Sequence, residues 1–170
     1  MKIDELNETG FETAKKEFLK CCTSEEWAKR MANSIPFEDM ECLQEVAEDI
    51  WEKRLKEKDK LEAFAGHPKI GDVNSLKEKY ANTAAMAGHE QSGVDSASDK
   101  TINELARLNK EYEEKFGYIF IVCATGKSAD EMLNILKNRI ANSAEKEIQI
   151  AAEEQKKITQ IRLNKIFTEE

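Results

Sequence analysis

Tyr118-Ile119-Phe120-Ile121-Val122-Cys123-Ala124 is the stretch that decides the fold, because it alone in the chain has the composition of a β-strand. It is short, β-branched and aromatic, as strands usually are. No second segment of comparable character could pair with it, and a lone strand would leave its backbone groups without partners. We therefore predict a buried extended connector between helices, whose N–H groups are free to bind a ligand.

The sequence on both sides of this stretch has a helical pattern. Glycine and proline, which interrupt helices, number only 7 and 2 among the 170 residues. From residue 38 to residue 58 the apolar residues recur at intervals of three and four, which places them on one helical face. A shorter helix is predicted over residues 83–91. We predict an all-α fold, in which residues 1–170 form a single compact domain of about seven to eight helices with one extended connector.

Capping residues mark where several of these helices begin and end. Thr23-x-x-Glu26 and Ser128-x-x-Glu131 are capping boxes, in which each side chain bonds the other's backbone N–H group. Gly66 and Gly117 stand where helices should end. Ser143 is predicted to open the last and longest helix.

The charge and the cysteines narrow the classes of function. The chain has 26 basic and 34 acidic residues, so its formal net charge is 26 − 34 = −8. This balance argues against a nucleic-acid surface and against docking on an anionic membrane. The start of the chain is polar and no apolar run could span a bilayer, so we expect a cytoplasmic protein. Its 4 cysteines form no CxxC motif and are expected to be free thiols.

Motifs for metals and cofactors are absent. Only 2 histidines occur, His67 and His89, and neither lies in a zinc-binding pattern, so we predict no metal site and no organic cofactor. Gly126-Lys127-Ser128 resembles part of a phosphate loop, but Val122 stands where the first glycine would be. That sequence is expected to precede and cap a helix.

Two places could carry chemistry. His67 lies between a predicted helix end and Pro68, on a short stiff loop, and an imidazole there could exchange a proton near neutral pH. Its simpler interpretation is a loop histidine bonded to a backbone carbonyl. Glu90 and Gln91 follow a run of small residues, which would let a ligand approach closely, although a solvated helix end is the simpler interpretation. Cys123, in an apolar run, is expected to be core and not a nucleophile.

Four motifs together resemble a known family. In order, they are His67-Pro68-Lys69-Ile70-Gly71-Asp72, Glu90-Gln91-Ser92-Gly93, Lys115-Phe116-Gly117-Tyr118-Ile119-Phe120 and Cys123-Ala124-x-Gly126-Lys127-Ser128. Their order and spacing resemble those of the 2-oxo-4-hydroxy-4-carboxy-5-ureidoimidazoline (OHCU) decarboxylases, from about Phe11 to Phe167.

The resemblance implies an all-helical homodimer that converts OHCU into (S)-allantoin, the last of three steps from urate, with no metal or cofactor. It implies that His67 is the catalytic proton-transfer residue and that Glu90 assists it. The implied substrate-binding residues are Pro68, Ala87, Gly88, His89, Gln91, Phe120, Ile121, Val122, Cys123 and Ala124. Many family members carry Ser at position 87, Pro at 119 and Arg at 125, where this chain has Ala87, Ile119 and Thr125.

Such a reaction suits a protein without a cofactor. Many decarboxylases use pyridoxal or thiamine as an electron sink. OHCU carries its own sink, the C=N and C=O groups next to the departing carboxylate. Two alternatives remain at this point: a helical interaction module without activity, and a cysteine or histidine hydrolase acting on a related ureide.

Overall fold

Helices dominate the computed structural model of the chain. It describes the backbone of residues 1–69, 71–87 and 95–170, and the side chains of these residues except 81–87 and 95–98. Within these ranges it contains nine α-helices and no strand, which confirms the all-α prediction. The helices are α1 (Ile3–Glu8), α2 (Phe11–Leu19), α3 (Glu25–Asn33), α4 (Met40–Asp49), α5 (Glu57–Ala65), α6 (Val73–Ala87), α7 (Asp95–Phe116), α8 (Ala129–Ile140) and α9 (Ala144–Ile166).

The chain divides into two compact units. The first unit consists of residues 1–67 and 151–170, and the second of residues 68–150. The first therefore holds α1 to α5 and the C-terminal part of α9. The second holds α6 to α8 and the N-terminal part of α9. The expectation of one domain over residues 1–170 stays a prediction.

An aromatic cluster around Phe18 forms part of the core of the first unit. The ring of Phe18 lies 6.0 Å from that of Trp27, 6.2 Å from Phe37 and 5.3 Å from Phe167, measured between centroids. Trp27 is fully buried and its indole N–H donates to the carbonyl of Ala47 over 3.3 Å. Trp27 therefore belongs to the core of the first unit.

The two ends of the chain meet in the first unit. The ammonium group of Met1 donates to the carbonyl of Ile166 over 2.8 Å. The N–H of Ile3 donates to the carbonyl of Thr168, and the N–H of Thr168 donates to that of Met1. These bonds hold α1 beside the residues that follow α9.

The predicted helix over residues 38–58 takes a different form. Asp39 caps α4 by accepting from the N–H of Cys42 over 2.7 Å. After α4 the chain continues through a π-helical turn, Ile50–Arg54, and α5 begins only at Glu57. Trp51 lies in the π-helical turn, is buried, and donates its indole N–H to the carbonyl of Ala152.

The cap of α3 differs from the predicted one by one residue. Ser24, not Thr23, accepts from the N–H of Trp27, so the capping box predicted at Thr23 is wrong. The hydroxyl of Thr23 instead donates to the carbonyl of Ala63 over 3.2 Å. Thr23 thus connects the residues before α3 to α5, and Ser24 is the residue that caps α3.

The second unit is built on the pairing of α7 with α8. Its core contains seven buried side chains, Leu76, Ile102, Leu105, Leu108, Tyr112, Met132 and Leu136. α6 begins earlier than predicted, because the carboxylate of Asp72 accepts from the N–H of Ser75 and caps it. Gly117 ends α7 with a φ of 83°, as predicted. Ser128 caps α8, and Ser143 accepts from the N–H of Lys146 in the first turn of α9, both as predicted.

Residues 118–124 form neither helix nor strand between α7 and α8, which confirms the predicted connector. Ile121 is buried and its neighbours are partly buried. Among the described residues, the N–H groups of residues 119–122 make no backbone–backbone hydrogen bond. Within the described part of the chain, these connector N–H groups therefore have no backbone acceptor.

Candidate active site

His67 follows directly on the end of α5. Its N–H donates to the carbonyl of Phe64 over 3.3 Å, which continues the helical turn by one residue. Gly66, at the end of the helix, has an ordinary φ of −77°, so its role is not the left-handed turn expected of a terminal glycine. A Cβ atom at this position would lie 1.8 Å from Oγ1 of Thr23. Gly66 is required because Thr23 packs against its backbone.

The imidazole of His67 is held by a glutamine on α9. Nε2 of His67 lies 2.5 Å from Oε1 of Gln155. Gln155 is fully buried, and its own Nε2 donates to Oγ1 of Thr159 over 3.0 Å. The simpler interpretation, a histidine bonded to a backbone carbonyl, is therefore wrong for this ring nitrogen.

Burial keeps His67 neutral. Desolvation lowers the pKa of the imidazole, the hydrogen bond to the amide oxygen of Gln155 partly opposes this, and the nearby guanidinium of Arg162 lowers the pKa further. The ordinary pKa of histidine is about 6.5. At neutral pH the ring is therefore unprotonated on one nitrogen, which is the state that a general base requires.

Arg162 supplies a positive charge close to His67. It is partly buried, and one of its N–H groups donates to the carbonyl of Cys21 over 3.3 Å. Gln155, Thr159 and Arg162 stand at intervals of four and three along α9, so they share one helical face. None of these three side chains was predicted as a site residue. Their signal was a set of polar residues at the positions of an amphipathic helix that should face the core.

The connector of the second unit is held from beneath by a buried ion pair. Arg139 is 6% exposed and Glu147 is 0% exposed, and their charged groups lie 2.6 Å apart. A second N–H of Arg139 donates to the carbonyl of Ile121 over 2.5 Å. The guanidinium also lies over the ring of Phe120, 4.7 Å from its centroid. The hydroxyl of Tyr112 donates to Glu147 over 2.7 Å, which completes the cluster.

The far end of the connector is closed by the sequence that resembles a phosphate loop. The ammonium group of Lys127 donates to the carbonyl of Cys123 over 2.7 Å. Gly126 has a φ of 74° and forms the turn, and Ser128 then caps α8. The expectation that these residues precede and cap a helix is confirmed.

The remaining predicted site residues are described only in part. Pro68 is exposed, and Ala87 is the last residue of α6, with a side chain outside the description. Gly88, His89, Glu90 and Gln91 all lie outside the described residues. His67 belongs to the first unit, and Pro68 and residues 120–124 belong to the second. Their roles as site residues stay predictions.

Two features of the described residues bear on other classes of function. No group of three or more His, Cys, Asp or Glu side chains among them could hold a metal ion. None of the helices in the described ranges is both long and apolar enough to span a bilayer. The four cysteines are free thiols, as expected, and Cys21 and Cys22 are buried.

Comparison with known proteins gives a consistent result. A family model described as OHCU decarboxylase matches residues 7–164. The uric acid degradation bifunctional protein TTL of Arabidopsis thaliana is 38% identical over 160 residues, which are 94% of this chain and 49% of that protein. The OHCU decarboxylase of Haloferax volcanii is 27% identical over 143 residues, 84% of this chain and 82% of that protein. This chain thus spans about half the length of the Arabidopsis relative.

Solved structures agree with the sequence comparisons. A crystal structure of OHCU decarboxylase in the presence of (S)-allantoin has a TM-score of 0.70 and 38% identity, and the match covers 88% of this chain and 95% of that one. A crystal structure of (S)-allantoin synthase has a TM-score of 0.71 at 20% identity, covering 98% of this chain and 54% of that one. At 20% identity, the match to (S)-allantoin synthase shows a similar fold only.

Proposed function

The chain belongs to the OHCU decarboxylase family, and from this premise we propose that it decarboxylates OHCU to (S)-allantoin in urate degradation, without a metal or organic cofactor. The family match over residues 7–164 favours this enzyme over a helical interaction module without activity. One observation carries the mechanism: His67 is hydrogen-bonded in place and its pKa is lowered.

The reaction breaks the carbon–carbon bond to the carboxylate. Its electron pair moves into the adjacent C=N group, carbon dioxide leaves, and the nitrogen that gains the charge takes up a proton. An enol remains, and it becomes allantoin when its hydroxyl loses a proton and the carbon bearing the ureido group gains one. The enzyme therefore has to move a proton to one face of that carbon.

His67 is the group that we propose for this proton transfer. As a neutral base it accepts the hydroxyl proton, and as the resulting imidazolium it delivers a proton to carbon. A positioned acid or base of this kind contributes about 10²- to 10⁴-fold to a rate. Glu90 would hold the imidazole or a substrate N–H group in register.

The charged and polar parts of OHCU need partners. Arg162 provides a cation near His67 for the substrate carboxylate. Of its five N–H donors, one is bonded to the carbonyl of Cys21 among the described residues. This offsets the absence of arginine at Thr125. Backbone N–H groups of the connector, together with Gln91, would bind the ureido and carbonyl oxygens. Pro68, Ala87, Gly88 and His89 would complete the substrate contacts.

We also propose a homodimer in the cytoplasm. The resemblance to the family supports the homodimer, and the four free cysteines support a reducing compartment. The net charge of −8 supports a small-molecule partner over nucleic acid or an anionic membrane. Light scattering during size-exclusion chromatography tests the dimer, and a monomeric mass would contradict it.

The function is tested by following the chirality of the product. OHCU is generated from urate by the two upstream enzymes, and allantoin is monitored by circular dichroism with and without this protein. We expect faster appearance of the S enantiomer, and no acceleration would refute the assignment. His67→Asn should lower the rate at least about 100-fold. Full activity of that variant would refute the role of His67 while leaving the assignment intact.

The hydrolase alternative depends on a thiolate at Cys123. Cys123→Ser would abolish hydrolysis that uses a thiolate nucleophile, whereas decarboxylation needs no nucleophile and should persist in this variant. Detection of carbon dioxide separates the two reactions directly, because hydrolysis of the ring alone releases none.

A further inference from the structure

Gln155 is a buried amide whose two ends have different partners. Its side chain is 0% exposed, so both the oxygen and the nitrogen must find hydrogen bonds inside the protein. The oxygen faces Nε2 of His67, and the nitrogen faces Oγ1 of Thr159. If the amide were reversed, the donor and acceptor roles at both ends would exchange.

The structure places the amide nitrogen of Gln155 on the hydroxyl of Thr159 and the amide oxygen on the imidazole of His67. An amide nitrogen can only donate, so the hydroxyl oxygen of Thr159 accepts this bond. The amide oxygen is left for His67, and an amide oxygen can only accept. Nε2 of His67 therefore carries a proton.

The other ring nitrogen of His67 is in a different position. Among the described residues, Nδ1 makes no hydrogen bond. In a neutral imidazole with a proton on Nε2, Nδ1 holds the lone pair. It can take up and release a proton while the bond from Nε2 to Gln155 stays intact.

We propose that Gln155 is a positioning residue that fixes neutral His67 with its proton on Nε2, so that Nδ1 is the atom that exchanges protons with the substrate. The inference rests on the proposed function, since it names the atom through which His67 acts. It also explains why the partner is an amide. A carboxylate at this place would stabilise the imidazolium, whereas an amide orients the ring and leaves it neutral.

Arg162 is the one charged group among the described residues with a resolved effect on the pKa of His67. Its charge disfavours a second positive charge on the ring. Gln155→Glu would place a carboxylate next to the imidazole of His67. We expect the pKa of His67 to rise in that variant, with the proton retained on Nε2.

The tautomer can be measured without substrate. The chain has only 2 histidines, so nitrogen-15 spectra of the labelled side chains contain two sets of signals, and a His89→Asn variant assigns them. We expect the Nε2–H tautomer for His67 in the ligand-free protein above the pKa. In Gln155→Leu both tautomers should be populated. A wild-type protein with the proton on Nδ1, or Gln155→Leu with an unchanged tautomer, would overturn the proposal.

Activity gives the second readout. Gln155→Leu should lower kcat about 10-fold or more, since part of the general-base contribution is lost, with a smaller change in KM. Gln155→Glu should move the acidic limb of the kcat/KM profile to higher pH and recover rate above it. If a folded Gln155→Glu protein has the acidic limb of its kcat/KM profile at the same pH as the wild type, the proposal is contradicted.

Gln160→Leu is the matched control. It makes the same chemical change five residues along α9, where the amide contacts Glu48 and not His67. We expect an unchanged tautomer and an unchanged pH profile. If Gln155→Leu does not fold, Gln155→Glu and Thr159→Val still test the tautomer. A wild-type protein that shows the expected tautomer but does not accelerate formation of (S)-allantoin would refute the proposed function and leave the positioning of His67 supported.

Discussion

Replacing Glu147 by glutamine should be the most damaging single change in the second unit. Its carboxylate accepts from Tyr112 over 2.7 Å, from Nε of Arg139 over 2.7 Å and from Asn142 over 3.0 Å. Glutamine keeps the shape but removes the charge and turns one end into a donor. Arg139 would then remain 6% exposed without a counter-ion. Removal of one partner from a buried pair costs about 3–5 kcal/mol of the free energy of unfolding.

Smaller changes in the same cluster should cost less. Tyr112→Phe removes one hydrogen bond to a charged acceptor, which is worth about 1.5–3 kcal/mol. Replacing both charged partners, as in Arg139→Met with Glu147→Leu, should cost less than Glu147→Gln alone, since no charge is left buried and unpaired. The connector would still lose the donor that holds the carbonyl of Ile121.

Urea unfolding, followed by circular dichroism, measures these effects. The matched control is Glu111→Gln, which removes an exposed partner of Arg107 on α7 and should change stability by about 0–1 kcal/mol. A loss in Glu147→Gln no larger than that of the control would refute the reasoning. In assays of OHCU turnover the variant should show a raised KM at a temperature where it is still folded, because the connector loses its support.

Three further predictions concern the first unit. Burial lowers the pKa of His67 in the folded protein, so the unfolded chain binds a proton at this imidazole more readily. The stability that depends on neutral His67 is therefore complete above a pH of about 6.5, the ordinary pKa of histidine, and declines as the pH falls toward the folded pKa. The difference in free energy of unfolding between wild type and His67→Gln should shift over that window, and a constant difference would contradict it. Gly66→Ala should cost about 1–3 kcal/mol by forcing Thr23 away, whereas Gly10→Ala, where nothing lies within 4 Å of the added Cβ, serves as the control in the same urea titration. Burial raises the pKa of the Cys22 thiol to about 11, so Ellman's reagent should reach it at pH of about 8 only after unfolding, and fast labelling of the native protein would contradict this.

The connector shows what the sequence could predict. Residues 118–124 had strand composition but no partner, so hydrogen-bond accounting alone indicated an extended segment. The residues that hold the connector in place could not be predicted in this way. Arg139 and Glu147 each occur among many charged residues of two amphipathic helices, and only tertiary structure shows that these two are buried. Their charge gives no sign of burial in a chain with 35% charged residues.

The surroundings of His67 show the same limit of prediction from sequence. The loop position of His67 was predicted from the local sequence, and its catalytic role was predicted from the resemblance to the OHCU decarboxylases. Gln155 lies 88 residues away along the chain, and no local pattern links the two. Their contact depends on how α9 lies in the first unit. Gly66 was correctly singled out, but for the wrong reason, because close packing of Thr23 is a tertiary contact and not a local backbone preference.

The meeting of the two chain ends has a consequence for the unfolded protein. Since the N–H of Thr168 donates to the carbonyl of Met1, a short peptide linker could join the termini with little disturbance of the native state. Such a cyclic chain would have far fewer unfolded conformations. Loop-closure entropy for a ring of this size corresponds to about 5 kcal/mol. Backbone cyclisation should therefore stabilise this protein through the conformations that it removes, without adding a contact to the folded one.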